Sequence, residues 1–248
     1  MLFSAGGVKI LIDAGLSARQ TRLRLEQLGV DLDEIDAILI THEHTDHIAG
    51  LKILALKMGL PVLANAETAK AIYHTLKAAP QFKIFQTGEA FTFGDLIIHP
   101  FTIPHDAADP VAFTIQTPTH KVGICTDLGF ATTLVQARLK GCHYLLLEAN
   151  HQPSMVHACP RPMVYKQRVL SRSGHLSNEA AGHLIAQIRP KHVHLAHLSD
   201  ECNSPEMALK VVSEIAGDIP LSIAHQRTVS TPIYFDDQAV SHSTSGLS

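Results

Sequence analysis

The chain has 248 residues, 46% of them hydrophobic, enough for one large domain with a sizeable core. No apolar run approaches the ~20 residues of a membrane span, and the start "MLFSAGGVKILIDAG" lacks the basic opening of a signal peptide, so a cytoplasmic protein is expected. The net charge is −3 with histidine neutral, which excludes a global basic field; a nucleic-acid partner would have to be met by a local patch.

Short apolar runs alternate with helical patterns along the chain. "VKILID" (8–13) and "AILIT" (37–41) read as strands buried on both faces. "SARQTRLRLEQLG" between them reads as a helix, capped by Ser17 and stopped by Gly29. Residues 46–58 have helical apolar spacing, "PVLAN" is a short strand, and 66–78 is another helix. "EAFTFGDLIIHPFTIPH" is β-rich, and "VAFTIQTPTHKVGICTD" reads as a hairpin turning at Pro118. "FATTLVQARLK" is helical and "HYLLLEAN" (143–150) is a strand. Helices are expected around 155–170 and 178–188, followed by the strand "HVHLAH". "SPEMALKVVSEIAG" has Ser204 as N-cap, Pro205 in the first turn and Gly217 beyond its end. "LSIAHQ" and "TVSTPIYF" close a single α/β domain, 1–236, and 237–248 read as a disordered tail. Cys125, Cys142, Cys159 and Cys202 are scattered with no CxxC, which argues against a zinc ribbon or disulfide framework and fits a reducing compartment.

The chemistry concentrates in "THEHTDH", residues 41–47. His42 and His44, two apart in an extended segment, point the same way and suit one metal ion. Asp46 and His47 start the next helix and can turn toward a second. Imidazole with carboxylate suits Zn, Mn or Fe. One cluster cannot close two sites, so further ligands must come from other strand ends. His105, Asp127 and His197 end "IIHPFTIPH", "VGICTD" and "HVHLAH". Together these groups suffice for two divalent ions about 3.5–4 Å apart sharing one carboxylate, and Asp127 is the natural bridge. His194 rivals His197 but lies further from the loop. His74, His99, His120, His143, His151, His157, His183, His192, His225 and His242 are read as ordinary polar residues.

"ILIDAG", "THEHTDH", "PHDAADPVAF", "TDLG" and "HLSDECNSPE", in this order, resemble the metallo-β-lactamase superfamily over nearly the whole chain. The resemblance implies an αββα sandwich with a dinuclear metal site at one edge. It assigns His42, His44 and His105 to one metal and Asp46, His47 and His197 to the other, with Asp127 bridging. Asp13 matches an acid that orders the site from behind the ligands. Within the superfamily, these motifs with "LLLEANH" and "SGHLSN" are similar to the YycJ/WalJ-like exonucleases, relatives of the β-CASP nucleases without their inserted domain. Glu148 then matches the acid of the first β-CASP motif, and His175 the histidine that contacts the scissile phosphate. The family opens with a strand and a turn ending in "SGN". This chain starts about where the second strand begins, so the first edge strand is expected to be missing or the start misassigned.

Arg161, Lys166, Arg168 and Arg172 lie in a stretch without acids, Ala149 to Asn178, that leads into His175. It reads either as a solvated helix face or as a track for a nucleic-acid backbone. Gly174 allows close approach of the backbone to a ligand, and Ser177 is placed to cap the helix from Asn178. The expected activity is phosphodiester cleavage in nucleic acid, DNA from a 5′ end, by a hydroxide shared between the metals. Asp46 would orient the nucleophile and His175 would stabilise phosphoryl charge. Two other readings stand beside it: a hydrolase of lactam, lactone or thioester bonds, which needs the metals but neither His175 nor the cations, and a regulatory protein with closed metal sites.

Overall fold

The computed structural model describes residues 1–235; the tail expected to be disordered, 237–248, lies outside them. The first sheet runs in sequence order: β1 (Leu2–Ala5), β2 (Val8–Ile12), β3 (Ala37–Leu39), β4 (Val62–Ala64) and β5 (Phe82–Ile84). β1 is antiparallel to β2, and the rest are parallel. The second sheet contains β6 (Phe91–Phe93), β7 (Leu96–Thr102), β8 (Val111–Gln116), β9 (Lys121–Cys125), β10 (Tyr144–Glu148), β11 (His192–Ala196) and β12 (Leu221–Ile223), ordered from β12 to β6. It is antiparallel from β6 to β9 and parallel from β9 to β12.

The alternation of side chains explains the layers. In β2 and β3, Ile10, Ile12, Ala37 and Leu39 face the second sheet, where they meet Ile98, Phe113, Ile115 and Ile124. The intervening Leu11 and Ile38 face outward and pack under α1 (Ala18–Glu26), α2 (Thr45–Ile48), α3 (Leu51–Leu54) and α4 (Ala66–Leu76). That is why both strands read as apolar on both faces. On the far side, α5 (Thr133–Leu139), α8 (Asn178–Ile188) and α9 (Pro205–Ala216) cover β10 and β11. The result is helix, sheet, sheet, helix. Two short helices, α6 (Pro153–Ala158) and α7 (Met163–Val169), sit beside this frame around Cys159 and Cys202.

Ser17, Ser177 and Ser204 cap their helices as expected, each accepting a backbone N–H three residues on. The structure differs from the sequence reading in several places, β5 among them, which the sequence reading left out. A strand, β1, precedes "VKILID" and fills an edge that the sequence left open. The helical pattern of 46–58 is split at Gly50 into α2 and α3. "TVSTPIYF" forms no strand; its Phe235 instead packs against Phe3 and Tyr144. No helix among the described residues is long and apolar enough to cross a membrane.

The first sheet holds α2 by a close backbone contact. Ala14 N donates to His47 O at 2.7 Å, and a Cβ on Gly15 would lie 1.5 Å from Asp46 O. Gly15→Ala is therefore expected to push α2 away. Overpacking of this kind destabilises by about 1–3 kcal/mol. A urea titration should show a lowered midpoint, with reduced metal content in the folded fraction.

Candidate metal centre

The C-terminal ends of β2, β3, β7, β9, β10 and β11 lie at one edge of the sandwich, and each carries residues of the centre at its last position or just beyond it. Two groups of ligand-capable atoms lie side by side: His42, His44 and His105 in one, Asp46, His47 and His197 in the other. Asp127 joins them. Its Oδ1 is 3.6 Å from both His105 Nε2 and His197 Nε2, and its Oδ2 is 3.3 Å from His47 Nε2.

Every imidazole has one nitrogen tied and the other facing the cluster. His105 Nδ1 donates to Gly174 O at 3.1 Å, and His44 Nε2 donates to Asp106 O at 3.1 Å. His47 Nδ1 donates to Asp13 Oδ2 at 2.8 Å, and His197 Nδ1 donates to Glu148 Oε1 at 2.7 Å. His42 Nδ1 is 3.0 Å from the Thr41 hydroxyl. This pattern fixes tautomers and leaves one lone pair per ring for a cation. The buried His42 Nε2 and Asp127 Oδ2 have no hydrogen-bond partner. Leaving such atoms bare is costly, so the donor set fits divalent ions.

The electrostatics divide the rings. Burial, reinforced by His47, His105 and His44, keeps His42 uncharged. Burial also lowers His105, although Asp127 opposes it. Burial disfavours charge on His47 too, but Asp13, Asp127 and Asp46 together outweigh it and lift this imidazole to about 9. The hydrogen bond with His197 holds the Asp46 carboxyl well below the usual range.

Two acids order the rings from behind. Asp13 accepts from His47, from Thr41 N at 2.8 Å and from the Thr41 hydroxyl at 2.9 Å. Glu148 is fully buried; Oε1 accepts from His175 Nδ1 at 2.9 Å and from His197 Nδ1, and Oε2 from Leu128 N and Leu176 N. Burial raises its pKa, but these imidazoles outweigh that and hold it ionised. All its lone pairs are used, so Glu148 serves as an anchor for two rings. His175 thus stands beside Asp127, its Nδ1 occupied and its Nε2 left to meet a ligand.

Asp13, Asp127 and His197 share a second feature: left-handed backbone with φ of 58°, 57° and 56°. The other described non-glycine residues of this kind, Lys77 and Arg189, merely end helices. Left-handed φ at such residues is disfavoured by about 1–3 kcal/mol and is concentrated where strands hand over to the site.

The cations leading to His175 are placed differently from the sequence reading. Arg161 pairs with Glu201, and Arg168 pairs with both oxygens of Asp106 at 2.6 and 3.0 Å. Lys166 donates to His157 O, and Arg172 lies over the Phe130 ring. The stretch is acid-free in sequence but not in space, because loops from elsewhere bring acids to it. Gly174 makes its close approach to protein: a Cβ there would lie 2.2 Å from Arg168 O. Arg168 still borders an open cavity of about 230 Å³ that reaches His175, His197 and Ser199. Thr41 and Asp106 escaped the sequence reading; their positions beside HxHxDH and His105 were the available signal.

A profile of the β-lactamase superfamily domain matches residues 8–198. Exodeoxyribonuclease YycJ of Bacillus anthracis is 37% identical over 212 residues, 84% of this chain and 80% of that protein. The chain belongs to the metallo-β-lactamase superfamily. Exodeoxyribonuclease WalJ of Streptococcus pneumoniae is 35% identical, again over 84% of this chain and 80% of that protein. The metallo-β-lactamase fold protein YhfI of Bacillus subtilis superposes with a TM-score of 0.69 at 20% identity, over 90% of this chain and 86% of that one. Membership of this superfamily, with these relatives, makes the protein a metal-dependent hydrolase of the nuclease and phosphodiesterase type.

Glu148→Gln replaces one acceptor oxygen by a donor that faces two ring N–H groups or backbone amides. Loss of such an outer partner typically lowers metal affinity or activity about 10–100-fold. Zinc titration and turnover of the variant should show a fall of that size, with the fold retained by circular dichroism. An unaltered variant would mean that the rings are held without it.

Proposed function

We propose that the protein is a two-metal exodeoxyribonuclease working from the 5′ end. The observation that carries this reading is the shared Glu148 oxygen, which sets His175 directly beside the ligand His197. A hydrolase of small lactams or thioesters has no use for a second, non-ligating imidazole locked at that place. The named exodeoxyribonuclease relatives support DNA as the substrate.

One ion would be held by His42, His44 and His105, the other by Asp46, His47 and His197, with Asp127 between them. When bound, such ions draw charge from phosphoryl oxygens and make water acidic. Asp46, the most exposed acid of the set, orients the attacking water. His175 Nε2 donates to a non-bridging oxygen as negative charge develops on phosphorus. Arg168, steadied by Asp106 at the cavity mouth, offers its outer N–H groups to a neighbouring phosphate.

Elemental analysis of protein purified without chelator is expected to find two equivalents of Zn, Mn or Fe, and chelation should abolish cleavage of end-labelled duplex DNA. Asp127→Asn should lose metal while remaining folded. His175→Ala should keep both metals yet lower cleavage by about 10²–10³, the usual effect of removing one transition-state donor. Activity on a lactam or thioester panel, with none on DNA, would overturn the reading.

A further inference from the structure

Glu148 ends β10, His175 precedes α8 and His197 follows β11, and each of these three stretches brings a largely buried asparagine: Asn150, Asn178 and Asn203. The mechanism uses none of them, yet Asn178 and Asn203 bond each other and Asn150 bonds the backbone of His197. Asn203 Nδ2 donates to Ala149 O at 2.8 Å and to Asn178 Oδ1 at 2.9 Å. Asn178 Nδ2 donates back to Asn203 Oδ1 at 3.0 Å and to Gln152 Oε1 at 3.1 Å. Asn150 Nδ2 donates to His197 O at 2.8 Å, the carbonyl of the residue in left-handed conformation. Backbone bonds complete the seam: Asn150 N to Leu176 O, Ser199 N to Asn150 O, and Asn178 N to His151 O.

We propose that Asn150, Asn178 and Asn203 form an amide clasp that positions His175 and His197 on Glu148, and so sets turnover rather than substrate binding. The role in turnover rests on the nuclease reading above; the positioning itself does not. The chemistry favours asparagine over other polar residues. A side-chain amide donates and accepts at once, so two of them close a reciprocal pair without burying charge. A carboxylate in either place would set oxygen against oxygen. The bond to His197 O also opposes relaxation of that residue's strained φ, which would swing its ring off Glu148.

The test is Asn203→Asp, which keeps shape but removes both donated bonds. In the full chain loaded with Zn²⁺, the Nδ1–H proton signals of His175 and His197 should broaden or shift. kcat on DNA should fall about 10–100-fold, the range for outer partners of a metal ligand, with KM unchanged and the protein folded at the assay temperature. If Asn203→Asp does not fold, Asn150→Ser removes only the bond to His197 O and should move the His197 signal alone. Unchanged imidazole signals in a folded variant, or a loss of activity no greater than the loss of folded protein, would overturn the clasp. If the wild-type chain cleaves no DNA while the signals respond as described, the nuclease reading fails and the positioning role stands.

Discussion

A carboxylate with no exposed surface lies at the centre of this structure. An ionised acid taken from water loses several kcal/mol of hydration and persists only if its lone pairs are met. Glu148 meets that condition with two ring N–H groups and two backbone N–H groups, from residues 128, 175, 176 and 197. The loops after β9 and β11 and the loop before α8 must all converge for this to happen. Convergence at Glu148 is therefore convergence of the site.

Asp13 plays the matching part in the first sheet, where it binds His47 and both polar groups of Thr41. Each sheet thus carries one acid at a strand end, and each acid turns an imidazole so that its free nitrogen looks into the gap between the sheets. The rings of His42 and His47 are 4.1 Å apart and those of His42 and His44 4.6 Å. Rings this close repel if all are protonated, and burial already keeps His42 neutral. His42 and His105 stay neutral while the carboxylates favour charge on His47 and His197, so these rings beside the buried carboxylate of Asp127 make a concave surface where a bound cation would take the place of the protons on His47 and His197.

The face around this centre is not strongly basic. Asp106 and Glu201 occupy Arg168 and Arg161, in keeping with the net charge of −3. In the function proposed above, a substrate phosphate would therefore be met by a few oriented donors, His175 first among them, instead of by a broad positive field. Ordered donors confer geometric selectivity, whereas a field attracts any polyanion.

What the sequence by itself determined is what depends on near neighbours. The two-faced apolar run of "VKILID", the serine caps, and the HxHxDH spacing that aims His42 and His44 together are local features and were legible there. Strand-end positions added His105, Asp127 and His197, and family motifs added Glu148 and His175, as names without their contacts. Only the tertiary structure decided which atoms face which. Arg168 finding Asp106 62 residues away, Glu148 joining His175 to His197, and the asparagines closing on one another all require loops distant in the chain to meet. Hydrogen bonds are made by atoms within about 3 Å in space, and separation along the chain carries no record of that distance.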